Sequence, residues 1–121
     1  MSLRRRIDSF RYAFQGLADL FRHQPNSRIH LAVALLVTGA GFYFGISRLE
    51  WVALVLCISA VFAIECMNTA LEYLTDLVSP EYHPLAGRAK DAAAAAVLLA
   101  AAGAVAVGAA VFGPRVWGLV F

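Results

Sequence analysis

Three long apolar segments limit what this chain can fold into. They run over about 29–44, 51–74 and 92–112, and the last carries no charged residue. A helix needs roughly 20 apolar residues to cross a bilayer core. The first segment is short for that task, and the second is interrupted near its end by polar residues. The rest of the composition agrees with a membrane setting. Apolar residues make up 61% and charged residues 15%, against about 45–50% and about 25% in a typical soluble domain. A chain of 121 residues is then one integral-membrane domain over 1–121, all-α, with three transmembrane helices.

A different pattern precedes the first span. Leu3, Ile7, Phe10, Phe14, Leu17 and Phe21 recur at spacings of 4, 3, 4, 3 and 4, which puts them on one helical face. Arg4, Asp8, Arg11, Gln15 and Arg22 fill the other. The expectation is an amphipathic surface helix over about 3–22, lying in the membrane interface; the alternative is a helix packed on the protein's own loop. Arg4, Arg5 and Arg6 lead into no apolar h-region, so the segment does not read as a signal peptide. Cys57 and Cys66 sit nine positions apart on one helix, about 13 Å along its axis. That is too far for a disulfide, which needs Cα atoms within about 7 Å.

Orientation follows from the basic residues. Arg4, Arg5, Arg6, Arg11, Arg22 and Arg28 precede the first span, and Arg88 and Lys90 lie in the second connection, taken as 75–91. Only Arg48 and Arg115 fall on the other side. Eight against two puts the N-terminus and the 75–91 loop in the cytoplasm and the C-terminus outside. The alanine-rich third segment, with Gly103 and Gly108, suits close helix–helix packing in lipid.

The second span contains the most informative stretch, ECMNTALEYLTD, Glu65 to Asp76. At 100° per residue, Asn68, Glu72 and Asp76 fall at about −60°, −20° and +20° from Glu65, with Thr69 at about +40°. The polar residues therefore form one stripe, roughly 16 Å long. Asp76 belongs at the membrane surface, Glu72 just inside and Glu65 deepest. Carboxylates in a span are costly and mark a cavity, a partner or a functional site. Three acids on one face repel one another, so a simple hydrogen-bonded glue fits poorly. A metal ion or cationic side chains must compensate.

The cations are on the same side. Arg88 and Lys90 lie in GRAKD before the third span, and Arg4 to Arg6, Arg22 and Arg28 border the first. Acids that hold Mg²⁺ beside bases that hold phosphates are what phosphoryl transfer requires: positioning, a metal bridging phosphates, and a base for the accepting hydroxyl. Soluble nucleotide-binding fingerprints are missing. There is no GxxxxGK[ST], and Gly39, Gly41 and Gly45 do not match GxGxxG and suit helix packing instead. No Ser-His-Asp or HExxH arrangement occurs. His23, His30 and His83 read as structural hydrogen bonders, and the reading includes no nucleic-acid partner.

On these residues the chain resembles the small prokaryotic diacylglycerol kinase and undecaprenol kinase family. The likeness rests on Glu65-x-x-Asn68-Thr69-Ala70-Leu71-Glu72-x-x-x-Asp76, on SPEYHPLAGRAKDAAAAAV, on SFRYAFQGL and on NSRIH. It covers essentially the whole chain. It implies three transmembrane helices with a surface helix, a homotrimer in a bacterial cytoplasmic membrane, and MgATP-dependent phosphorylation of a lipid alcohol.

The resemblance also implies roles for single residues. Glu65 matches the general base on the lipid hydroxyl. Glu72 matches a metal-binding acid at the ATP phosphates. Asn68 and Asp76 match signature positions that support this site. Lys90, Asp91, Glu81, Tyr82 and His83 match ATP-site positions, and Arg5 and Tyr12 match N-terminal nucleotide contacts. The family pattern has a glutamate, the second metal-binding acid, where this chain has Gln24, which keeps a carbonyl oxygen but loses the charge. NSRIH and FGISRLEW resemble the undecaprenol kinase branch, making undecaprenol the expected acceptor and diacylglycerol the alternative. Outside the kinase class, a small oligomeric cation or proton channel and a noncatalytic membrane scaffold are the competing readings.

Overall fold

The computed structural model describes residues 2–121 as four α-helices: α1 (Leu3–His23), α2 (Pro25–Phe44), α3 (Arg48–Val78) and α4 (Pro84–Val120). Among the described residues, α2, α3 and α4 are long and apolar enough to cross a membrane.

Local chemistry sets the boundaries. Ser2 Oγ accepts the Arg5 N–H and caps α1. Gln24 ends α1 and precedes α2 in extended backbone. Pro25 explains this, because a proline disfavours helical geometry in the residue before it and suits a first helical position. At the other end of α2, Gly45 takes a left-handed conformation, φ 61°, which glycine adopts without steric cost. A reciprocal box then starts α3. Ser47 Oγ accepts the Glu50 N–H and Glu50 Oε1 accepts the Ser47 N–H, at 3.2 and 3.0 Å, satisfying two backbone donors at once.

The helices outrun the apolar segments. At 1.5 Å per residue, α3 and α4 are about 46 and 55 Å long, well beyond a hydrocarbon core of about 30 Å. Their polar ends therefore continue as helix. This corrects the expected connection over 75–91. Helix α3 continues to Val78 and α4 begins at Pro84, leaving only Ser79–His83 as the link. The GRAKD residues are on α4, not in a loop, because Pro84 suits the first turn of a helix and alanine and lysine favour its continuation. The His83 ring caps this start, its Nδ1 accepting the Leu85 N–H at 3.1 Å.

The packing is concentrated between α3 and α4, with Ile46, Leu54 and Val111 buried among Val37, Phe44, Trp51, Val107 and Phe112. At that end Arg115 grips Glu50 with two nitrogens, at 2.6 and 2.8 Å, the planar fork-to-carboxylate geometry that arginine favours. Close approach occurs at one glycine. A Cβ on Gly41 would lie 2.7 Å from Trp51 Cη2, whereas Gly39, Gly103 and Gly108 have open space there. The tight contact expected at Gly103 and Gly108 is thus not made within the chain. Gly41→Ala is expected to cost about 1–3 kcal/mol by overpacking, read as a lower unfolding midpoint in detergent. An unchanged midpoint would show that Trp51 moves aside freely.

At the opposite end α1 lies against α2 and α3. Leu20 is buried, and Phe21 meets Phe62 edge-on with ring centroids 5.7 Å apart. Tyr73 donates to Asp19 Oδ2 at 2.7 Å. Earlier in α1 the apolar face is uncovered: Leu3, Ile7, Phe10 and Phe14 are all exposed.

Candidate active site

The acidic stripe lies on α3 and passes from buried to exposed along its length. Leu54, Val61, Glu65 and Thr69 are the buried residues of that helix, at spacings of 7, 4 and 4 that mark one inward face. Glu65 is the only acid on it, at 4% exposure. Asn68 and Glu72 are half-buried and Asp76 is exposed. The stripe therefore grades from an interior carboxylate to an exposed one.

Four contacts organise it. Glu65 meets two residues of α2: Ser27 donates to Oε2 at 2.5 Å, and His30 Nδ1 lies 2.8 Å from Oε1. Ser27 is itself fully buried. A buried charge needs such partners, because desolvation costs several kcal/mol per ion. One turn further along α3, Asn68 Nδ2 donates to Glu72 Oε1 at 3.3 Å. At the end of the stripe, Lys90 of α4 donates to Asp76 Oδ1 at 2.5 Å. So α2, α3 and α4 each contribute to one line of polar groups.

Sequence reasoning named Glu65, Asn68, Glu72, Asp76 and Lys90, and these fall along that line. It also named Arg5, Tyr12, Gln24, Glu81, Tyr82, His83 and Asp91. Among the described residues, no side-chain hydrogen bond or ion pair joins these to the stripe. Arg5 and Tyr12 are exposed on α1, Glu81, Tyr82 and His83 on the α3–α4 link, and Asp91 on α4. Gln24 is half-buried at the α1–α2 junction. Ser27 and His30 were not singled out as site residues. Their sequence signal is a polar pair three positions apart, hence on one face, at the start of an otherwise apolar helix.

Mg²⁺, which the resemblance implies, is a hard cation that takes oxygen ligands. Among the described residues no three His, Cys, Asp or Glu side chains gather as a metal cage. Mg²⁺ does not need one, since it is usually held by one or two carboxylates, substrate phosphates and water. The Asn68 Oδ1 atom is buried with no partner in the chain, and its own amide nitrogen is bonded to the Glu72 carboxylate. An unpartnered oxygen beside a carboxylate suits a hard cation, so the donor set fits.

Beside the Glu65 cluster, a cavity of about 500 Å³ opens between α2, α3 and α4. Its walls are almost wholly apolar, including Val37, Leu54, Phe62, Ala104 and Phe112, and His30 forms part of them.

A helical chain with three membrane-length helices, a buried carboxylate beside an apolar cavity, and a lysine–aspartate pair at the helix ends has the parts of a membrane-bound lipid phosphotransferase. Comparison with known proteins agrees. Residues 11–112 match the prokaryotic diacylglycerol kinase family, and the chain belongs to it: it is a lipid kinase that uses ATP in a membrane. It is 38% identical over 113 residues to the undecaprenol kinase of Bacillus subtilis, covering 93% of this chain and 92% of that one. It is 45% identical over 101 residues to a diacylglycerol kinase of Synechocystis, covering 83% of this chain but 58% of the relative. It is 32% identical over 89 residues to the Escherichia coli diacylglycerol kinase, covering 74% and 73%.

Proposed function

We infer that this chain, as one domain, phosphorylates undecaprenol with MgATP to give undecaprenyl phosphate. The observation that carries the reading is the line of polar groups from buried Glu65 to the Asp76–Lys90 pair, with an apolar cavity at its buried end. A lipid alcohol reaches the buried end from the membrane, and ATP reaches the exposed end from water. The end-to-end likeness to the Bacillus subtilis undecaprenol kinase favours the polyprenol. The higher identity to the Synechocystis enzyme supports diacylglycerol as the second acceptor.

In the proposed mechanism the lipid hydroxyl is held at the Glu65 cluster, where the carboxylate provides the basic centre. The hydroxyl oxygen bonds to the γ-phosphorus, its proton passes to that centre, the bond to the β–γ bridging oxygen breaks, and ADP leaves. Glu72, with Asn68 beside it, would hold Mg²⁺, which would neutralise charge on the β- and γ-phosphates. Lys90 turns from Asp76 to the phosphates, with Asp91, Glu81, Tyr82, His83, Arg5 and Tyr12 placed around the nucleotide. The uncovered apolar face of α1 lies on the membrane surface. The N-terminus and the α3–α4 link face the cytoplasm and the C-terminus faces out. Three copies associate, using the open face of α4 at Gly103 and Gly108.

The test is phosphate transfer from radiolabelled ATP by purified protein in mixed micelles, with undecaprenol and diacylglycerol side by side. Faster labelling of undecaprenol is expected. Labelling of diacylglycerol alone would replace the acceptor, and labelling of neither would overturn the reading. Position 24 gives a separate prediction. If Gln24 faces the metal, Gln24→Glu adds a charged ligand and lowers the Mg²⁺ midpoint of the rate, roughly tenfold. An unchanged midpoint removes position 24 from the metal site.

A further inference from the structure

Helix α1 is fixed at its C-terminal end alone. Among the described residues, no side chain between Leu3 and Ala18 forms a hydrogen bond or ion pair with another helix. The anchors come later: Leu20 is buried, Phe21 meets Phe62, and two polar ties reach α1 from α2 and α3.

The first tie supplies what the sequence removes. In a continuing helix, the N–H groups of residues 25 and 26 would bond the carbonyls of Phe21 and Arg22. Pro25 has no N–H, and the residue before it, Gln24, is extended. The Leu20 carbonyl still accepts the Gln24 N–H at 2.9 Å. Arg28 takes the next two. Its Nε donates to the Phe21 carbonyl at 2.6 Å and its Nη2 to the Arg22 carbonyl at 2.5 Å. The guanidinium thus substitutes for the missing N–H groups, and its charge suits a helix C-terminus. Because Arg28 is in the first turn of α2, it joins the two helices across the break at Pro25. The second tie is the Tyr73 hydroxyl of α3, which donates to Asp19 Oδ2 at 2.7 Å. Tyr73 directly follows Glu72, the acid proposed for the metal.

These anchors act over a long reach. Along α1, Tyr12 is about 15 Å and Arg5 about 25 Å from Arg22. A tilt of about 10° at the anchored end moves Tyr12 by about 3 Å, enough to break a hydrogen bond. We propose that Arg28 and Tyr73 are positioning residues for the nucleotide, bracing α1 from α2 and α3 so that Arg5 and Tyr12 are held at the ATP. The proposal rests on the reading that places Arg5 and Tyr12 around the nucleotide. Arg28 is then a strut between helices and not one of the phosphate-holding cations. Its planar fork spans two carbonyls in a fixed geometry, which the flexible ammonium of a lysine does not reproduce.

The test is kinetic, on the full chain in mixed micelles with ATP and the lipid alcohol that it labels. Arg28→Lys is expected to raise the KM for ATP about tenfold and Tyr73→Phe about threefold, with the KM for the lipid unchanged. A second background separates positioning from general destabilisation. In a chain already carrying Arg5→Gln and Tyr12→Ala, Arg28→Lys should change the KM for ATP by less than about twofold, because the contacts it holds in place are gone. A merely structural role predicts the same factor in both backgrounds, since independent distant sites add. An unchanged KM for ATP in Arg28→Lys, or an equal factor in the two backgrounds, overturns the proposal. If Arg28→Lys does not fold, Tyr73→Phe, which removes only a hydroxyl from an exposed ring, is judged by the same two criteria. An Arg5→Gln, Tyr12→Ala chain with the wild-type KM for ATP removes the underlying reading of α1 and the proposal with it. A raised KM there beside an unaffected Arg28→Lys removes this proposal alone.

Discussion

Glu65→Gln is expected to lower lipid phosphorylation by about 10²–10⁴-fold while leaving ATP binding intact. The substitution keeps the size of the side chain and an oxygen to accept the Ser27 hydroxyl, which is fully buried and would otherwise lose its partner. What it removes is the charge. Without that charge the Glu65 cluster loses the basic centre proposed to take the proton of the lipid hydroxyl. Nucleotide binding should survive because the residues proposed for it, Glu72, Asp76 and Lys90, lie further along the stripe, with Glu72 about 10 Å from Glu65 along the helix. Turnover and ATP affinity measured on the same preparation check this. Wild-type turnover would exclude Glu65 from the chemistry, and loss of both would give it a structural part.

Lys90→Met should have the second large effect, a fall of roughly 10²–10³-fold in kcat/KM for ATP, as expected on removing one cation from a phosphoryl clamp. Folding should be nearly untouched. The Lys90 and Asp76 side chains are 43% and 62% exposed, and ion pairs so open to water contribute little to stability. Activity and stability therefore separate. A variant that unfolds at the wild-type midpoint but loses nucleotide turnover supports a lysine held for the phosphates. A variant that loses both in step shows the pair to be an ordinary tie between α3 and α4. Asp76→Asn discriminates further, because it leaves Lys90 present but no longer held by a carboxylate.

Much of this site is carried by a single helix, which is why it could be read before any folding was known. Glu65, Asn68, Glu72 and Asp76 share a face because 3.6 residues per turn require it, whatever surrounds the helix. The gradient of burial along them follows from where the apolar run ends. The three spans and the spacing of apolar residues in α1 are equally local. The connection over 75–91 was harder to read. Its polar residues suggested a loop, but polarity marks exposure to water and not the end of a helix, and both flanking helices continue well into it.

Partners across helices were not legible. Ser27 and His30 are 38 and 35 positions from Glu65, and Arg115 is 65 from Glu50. Whether they meet depends on how each helix is rotated about its axis and where the helices cross, which follows from side-chain packing over whole surfaces. Gly41 shows the same limit. Three glycines near the end of α2 look alike in sequence, yet one lies beneath Trp51, one takes a left-handed turn and one touches nothing. The sequence by itself determined the membrane-length helices and the acidic stripe, since each is a property of one helix. Only the tertiary structure decided that His30, not Glu65, faces the cavity, because that depends on two helices meeting at one rotation.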